Sequence, residues 1–181
     1  MEKTIELNLI EDKSVQRIVN VAALILAAAV VVVYEYLYIS GLIPGLYISF
    51  ACLGLVLLLP VHELLHGICF KMFAESEVKV KYGFKAGFFY ASNPGYTYTP
   101  GEFIMILMAP LVVISLMCLG VAIFSPYGYL ALLIALLHFS GCVGDLYMVG
   151  KILSTKSQSY VVGVKDTEVG IDIIVDDALS K

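Results

Sequence analysis

Residues 54–73 read GLVLLLPVHELLHGICFKMF, and two features of that stretch decide the fold. It is apolar over about 20 residues, the length a helix needs to cross a hydrocarbon core. It also carries Glu63 between two of the chain's three histidines. A carboxylate inside a span costs roughly 3 kcal/mol on insertion scales, and such residues face a functional interior rather than lipid. A membrane helix with a polar inward stripe is the reading that satisfies both.

Working outward, three more stretches have the same character. Spans are expected at about 18–38, 45–73, 103–124 and 128–153, in one membrane-embedded domain covering 1–181. Tyr34, Tyr36 and Tyr38 close the first span as an interfacial aromatic belt. The composition agrees: 60% of residues are hydrophobic, 14% are charged and the mean hydropathy is +0.93, which excludes an ordinary soluble domain. A basic patch interleaved with aromatics is missing, which argues against nucleic acid as a partner. The polar, acidic first twenty residues and the length of the first apolar run argue against a cleaved signal peptide. Cys52, Cys69, Cys118 and Cys142 lie in apolar segments without a CxxC pair and read as packing residues.

The basic residues set the expected orientation. Lys and Arg occur in the N-terminal arm (Lys3, Lys13, Arg17), in 71–85 and from Lys151 onward, and the other two connections carry none. The positive-inside rule then puts both termini, the 71–101 segment and the functional site toward the cytoplasm of a multi-pass cell-membrane protein. Within 71–101, Val78, Val80, Tyr82 and Phe84 alternate with Lys79, Lys81 and Gly83. That period of two predicts a β-hairpin turning near 83–87 and continuing through Phe88-Phe89-Tyr90. The tail, 154–181, reads as β-rich, with short strands at 160–162 and 171–175. The expected fold is therefore an α-helical polytopic membrane protein with four spans, a cytoplasmic β-hairpin after the second, and a short β-rich tail.

His62-Glu63-Leu64-Leu65-His66 has the HExxH spacing. Residues i and i+4 share a helix face, so both imidazoles can reach one metal, with Glu63 free to act on a water there. Zinc suits imidazole and carboxylate ligands with an open fourth position. The third ligand is sought among Glu35, Glu102, His138 and Asp145. Taking 1.5 Å per residue, His62 and His66 lie about 26 and 32 Å from the outer end of their span, and Asp145 about 26 Å from the outer end of its own. His138 would lie about 10 Å shallower, so depth selects Asp145. His138 shares a helix face with Asp145 at a spacing of seven, and it reads as an interhelical hydrogen-bonding or second-sphere residue. Cys142 lies on that face too. Pro60 and Pro110 are candidate kinks that admit water.

This HELxHG helix, followed by a hairpin and a late aspartate in another span, resembles the site-2 protease group of intramembrane metallopeptidases. It is more similar to a small prokaryotic family of zincin peptidases, which shares the HELxHG helix, an Ala-Pro step like Ala109-Pro110 and a Gly-Asp like Gly144-Asp145. The likeness runs from about Leu59 onward. It implies zinc bound by His62, His66 and Asp145, with Glu63 as general base. The chain departs from the site-2 pattern in having Leu146 after Asp145 and no Asn-x-x-Pro before it. The expected activity is hydrolysis of peptide bonds in membrane or membrane-proximal proteins, with His138 or Asn93 as a donor to developing negative charge and the 78–90 hairpin either holding an extended substrate or serving as an interfacial cover. Two other readings stay open, a membrane metal transporter and a zinc-stabilised scaffold without turnover.

Overall fold

The computed structural model describes residues 2–9, 11–43, 47–75, 78–85, 88–167 and 170–176. The expected hairpin turn at 86–87, the first residues of the second span and the last residues of the tail lie outside these. Strand β1 (Glu2–Asn8) leads into helix α1 (Lys13–Ile39), followed by α2 (Tyr47–Phe73). Then come β2 (Lys81–Lys85), β3 (Phe88–Ser92), β4 (Thr97–Tyr98) and α3 (Pro100–Phe124). Helices α4 (Gly128–Gly141) and α5 (Val143–Gln158) and strands β5 (Tyr160–Asp166) and β6 (Gly170–Asp176) complete the chain.

Helices α1, α2 and α3 are each long and apolar enough to cross a membrane, and α4 with α5 makes a fourth span if the bent pair is taken as one. Large apolar side chains cover the outside of this bundle: Leu24, Val32, Leu57 and Phe124 are exposed at 69, 67, 65 and 88%. Such a surface is unfavourable in water and ordinary against lipid. Inside, Tyr34, Ala51, Leu133 and Leu137 join α1, α2 and α4, and the Tyr34 hydroxyl accepts a hydrogen bond from the Tyr47 N–H at 3.0 Å.

The helix starts are written in the sequence. Asp12 caps α1, its carboxylate accepting from the N–H groups of Ser14 and Val15. Thr99 and Glu102 form a reciprocal capping box on α3, with Pro100 at the first helical position. The expected span at 128–153 is instead two helices meeting at Cys142 at 52°. Hydropathy runs unbroken through this point, which is why the sequence reads as one straight helix. The bend turns the first residues of α5 toward α2.

Outside the bundle a four-stranded sheet runs β1-β6-β5-β4, and β2 pairs with β3 separately, all antiparallel. In β6, Ile171, Ile173 and Val175 are buried while their neighbours are not, the alternation of a strand with one face on a core. That face packs on Phe70, Phe103, Ile106 and Ile152, so the sheet is fastened to the ends of α2, α3 and α5. Each such side chain contributes roughly 1.5–3 kcal/mol by burial. Tyr98 anchors the junction. Its hydroxyl donates to the Phe70 carbonyl at 3.2 Å and accepts from the Asn93 amide at 2.7 Å, and burial lifts its pKa to about 12.

Candidate metal centre

His62 and His66 stand one turn apart on α2, and their Nε2 atoms are 3.1 Å from each other. Asp145, in the first turn of α5, brings Oδ2 to 3.3 Å from His62 Nε2 and 3.6 Å from His66 Nε2. Three ligands at zinc distances of about 2.0–2.1 Å and tetrahedral angles stand about 3.3 Å apart. The observed edges bracket that value, so the donor set fits a tetrahedral zinc ion with its fourth position open.

The outer nitrogens settle which ring atoms are available. His66 Nδ1 lies 2.9 Å from the Ile106 carbonyl, an acceptor only, so Nδ1 carries the proton and the neutral ring presents a bare Nε2. His62 Nδ1 lies 3.0 Å from His138 Nε2. With a proton on His62 Nδ1, that nitrogen donates to His138 and the His62 Nε2 lone pair faces Asp145. Cys142 Sγ lies 3.7 Å from His138 Nε2, and His62, His138 and Cys142 also gather closely enough to hold an ion.

His138 is therefore nearer than the straight-helix arithmetic expects. It touches the first histidine directly instead of lying two turns away, because the break at Cys142 shortens the path between α4 and α5. Asn93 is turned elsewhere: its side-chain amide bonds Tyr98 and its backbone N–H donates to the Asp166 carboxylate. Gly67, which follows His66, has a packing reason. A Cβ there would meet the Tyr82 hydroxyl at 1.9 Å, so glycine lets the Tyr82 ring lie down on α2.

The three metal-facing residues and Glu63 line a cavity of about 180 Å³. Its other wall comes from outside the bundle: Leu9 after β1, Ala91 and Ser92 of β3, Asp166 of β5 and Gly170 of β6. The site thus lies at the end of the bundle that carries the N-terminal strand and the tail strands. The Glu63 carboxyl lies against the Ala91 N–H. Asp166 is a residue that the sequence does not announce. It is 5% exposed, and burial raises its pKa to about 7 against the opposing pull of the Asn93 N–H and His66.

A protein-family model described as "Putative zincin peptidase" matches residues 55–160, well over half of the chain. Comparison with curated proteins and with solved structures gives no match.

Proposed function

The chain belongs to this zincin peptidase family, and from that premise we propose that it is a membrane-embedded zinc metallopeptidase of site-2-protease type. It cleaves peptide bonds of membrane or membrane-proximal proteins at the cytoplasmic side. The observation that carries the reading is the triangle of His62, His66 and Asp145 ligand atoms with edges of 3.1, 3.3 and 3.6 Å. These residues would hold the ion. Bound zinc supplies Lewis acidity, lowering the pKa of a water and polarising a carbonyl.

The chain's own groups do the rest. Glu63 takes a proton from water at its carboxylate and returns it to the leaving amine. The Ala91 N–H beside it keeps that carboxylate turned toward the cavity. His138 fixes the orientation and tautomer of His62 from behind, the task usually given to an acceptor outside the metal's own ligands. β3 lines the cavity, where an extended substrate can add alongside it through main-chain hydrogen bonds. Asn93 contributes through Asp166 and Tyr98 rather than by facing the reaction.

The cytoplasmic assignment rests on the distribution of Lys and Arg, all outside the apolar cores of the helices. The cavity wall supports it, because both tail strands and the segment after β1 meet at the site. The test is a Glu63→Gln variant assayed in liposomes against a panel of single-span substrates. Hydrolysis should fall by about 10²–10⁴-fold while zinc stays bound. Cleavage at the wild-type rate by that variant sinks the mechanism.

A further inference from the structure

The catalytic cavity holds more negative charge than a metal and a general base account for. Its described lining includes Glu63, Asp145 and Asp166, and no Lys or Arg. If the proposed function is right, a divalent ion balances Asp145 and Glu63, with both histidines neutral. Asp166 is then left without a counter-charge. Its Oδ2 accepts from the Asn93 N–H, a donor that carries no full charge. One residue before that N–H, the Ser92 hydroxyl lines the same cavity, is buried and has no hydrogen-bond partner among the described residues.

A buried hydroxyl without a partner and a buried carboxylate without a counter-charge, both in one cavity wall, are costly unless something fills the space between them. A carboxylate and a hydroxyl together suit a group with several N–H donors and positive charge. Neutral donors such as a substrate amide would satisfy the hydrogen bonds but leave the buried charge unbalanced.

We propose that Asp166 and Ser92 form a substrate subsite for an ammonium group, so that the peptidase selects peptides presenting a lysine side chain or a free α-amino group beside the scissile bond. This inference rests on the metal-centred reading of the cavity and names its substrate class. Its placement explains why the tail strands cover the site: β5 brings the selecting carboxylate to the cavity, while α2 and α5 bring the chemistry. Without a cation, the proton held by Asp166 near neutrality takes the counter-charge role. A bound ammonium replaces it.

Three hydroxamates, which chelate zinc through the same head, separate the possibilities. N-acetyl-lysine hydroxamate offers a side-chain ammonium, norleucine hydroxamate an α-ammonium, and N-acetyl-norleucine hydroxamate neither. Their affinities for the zinc-loaded full-length protein in detergent would be measured by calorimetry at pH 7.5, for wild type, Asp166→Asn and Ser92→Ala. The expectation is that one of the two cationic compounds binds at least tenfold more tightly than the neutral one, and which of them does so identifies the source of the ammonium. Asp166→Asn should erase that preference without weakening the neutral hydroxamate. Equal binding of all three to wild type, or a preference that survives Asp166→Asn, overturns the subsite while leaving the metal centre standing. If none of the three binds to protein shown to contain zinc, the metal-centred reading and the subsite fall together.

Discussion

Asp166→Asn should make the protein more stable at alkaline pH, although it removes a buried, hydrogen-bonded side chain. In the folded protein the carboxyl has a pKa of about 7, against 3.8 for the ordinary group, because burial disfavours its charge more than the Asn93 N–H and His66 favour it. The folded state therefore holds the proton more tightly than the unfolded one. The resulting stability is fully present below pH 3.8 and is lost as pH rises through about 7. The shift of about three units corresponds to about 4 kcal/mol at about 1.4 kcal/mol per unit. Asparagine cannot ionise, and its carbonyl can still accept from the Asn93 N–H, so the variant loses this pH dependence. At pH 8 it should melt roughly 10 °C above wild type, and at pH 4 the two should nearly coincide. Thermal unfolding in detergent can be followed by far-ultraviolet circular dichroism of the helices. A wild-type-to-variant difference that stays flat from pH 5 to 9, or that favours wild type at pH 8, would show that burial does not hold the Asp166 proton.

Further perturbations follow from named contacts. Glu63→Gln should lower hydrolysis by about 10²–10⁴-fold, the usual contribution of a general base, with zinc content unchanged by elemental analysis. His138→Ala removes the partner of His62 Nδ1 and should weaken zinc about 10–100-fold in a chelator competition, whereas Cys142→Ser, which replaces a thiol 3.7 Å from His138 Nε2, should matter little. Gly67→Ala meets only the hydroxyl end of the half-exposed Tyr82, which can swing aside, so the variant should stay within about 1 kcal/mol of wild type in the melting assay. Tyr98→Phe leaves the Asn93 amide and the Phe70 carbonyl without their shared hydroxyl, a loss of about 1–3 kcal/mol in the same melting assay.

The helical frame and the closeness of the two α2 histidines were largely legible because both rest on local patterns. His62 and His66 are one turn apart in any helix, and the apolar runs declare themselves by length. Asp145 was reachable by comparing depths, but that comparison assumed a straight helix from 128 to 153. The assumption set His138 too far from the histidine pair, although not outside its expected second-sphere role, because nothing in Gly141-Cys142-Val143-Gly144 interrupts the hydropathy; α5, bent by 52° from α4, packs against α3 and α1. Strand β1 escaped notice beneath its charges. Ile5 and Leu7 do alternate with Glu6 and Asn8, but the partner strand is β6, at the other end of the chain. Pairing across that separation leaves no local mark. Asp166 was illegible for the same reason: among the other acids of the tail it looks like a solvated turn residue, and only the docking of the sheet onto α2 and α3 buries it.

The most direct test of the account is the zinc content of chelator-free, detergent-purified protein, measured by elemental analysis for wild type, Asp145→Ala and Glu63→Gln. The geometry predicts close to one zinc per chain in wild type and in Glu63→Gln, and a sharp fall in Asp145→Ala, because one corner of the ligand triangle is gone. Full zinc occupancy in Asp145→Ala, or wild-type protein that takes up no zinc, would contradict a metal centre built from His62, His66 and Asp145.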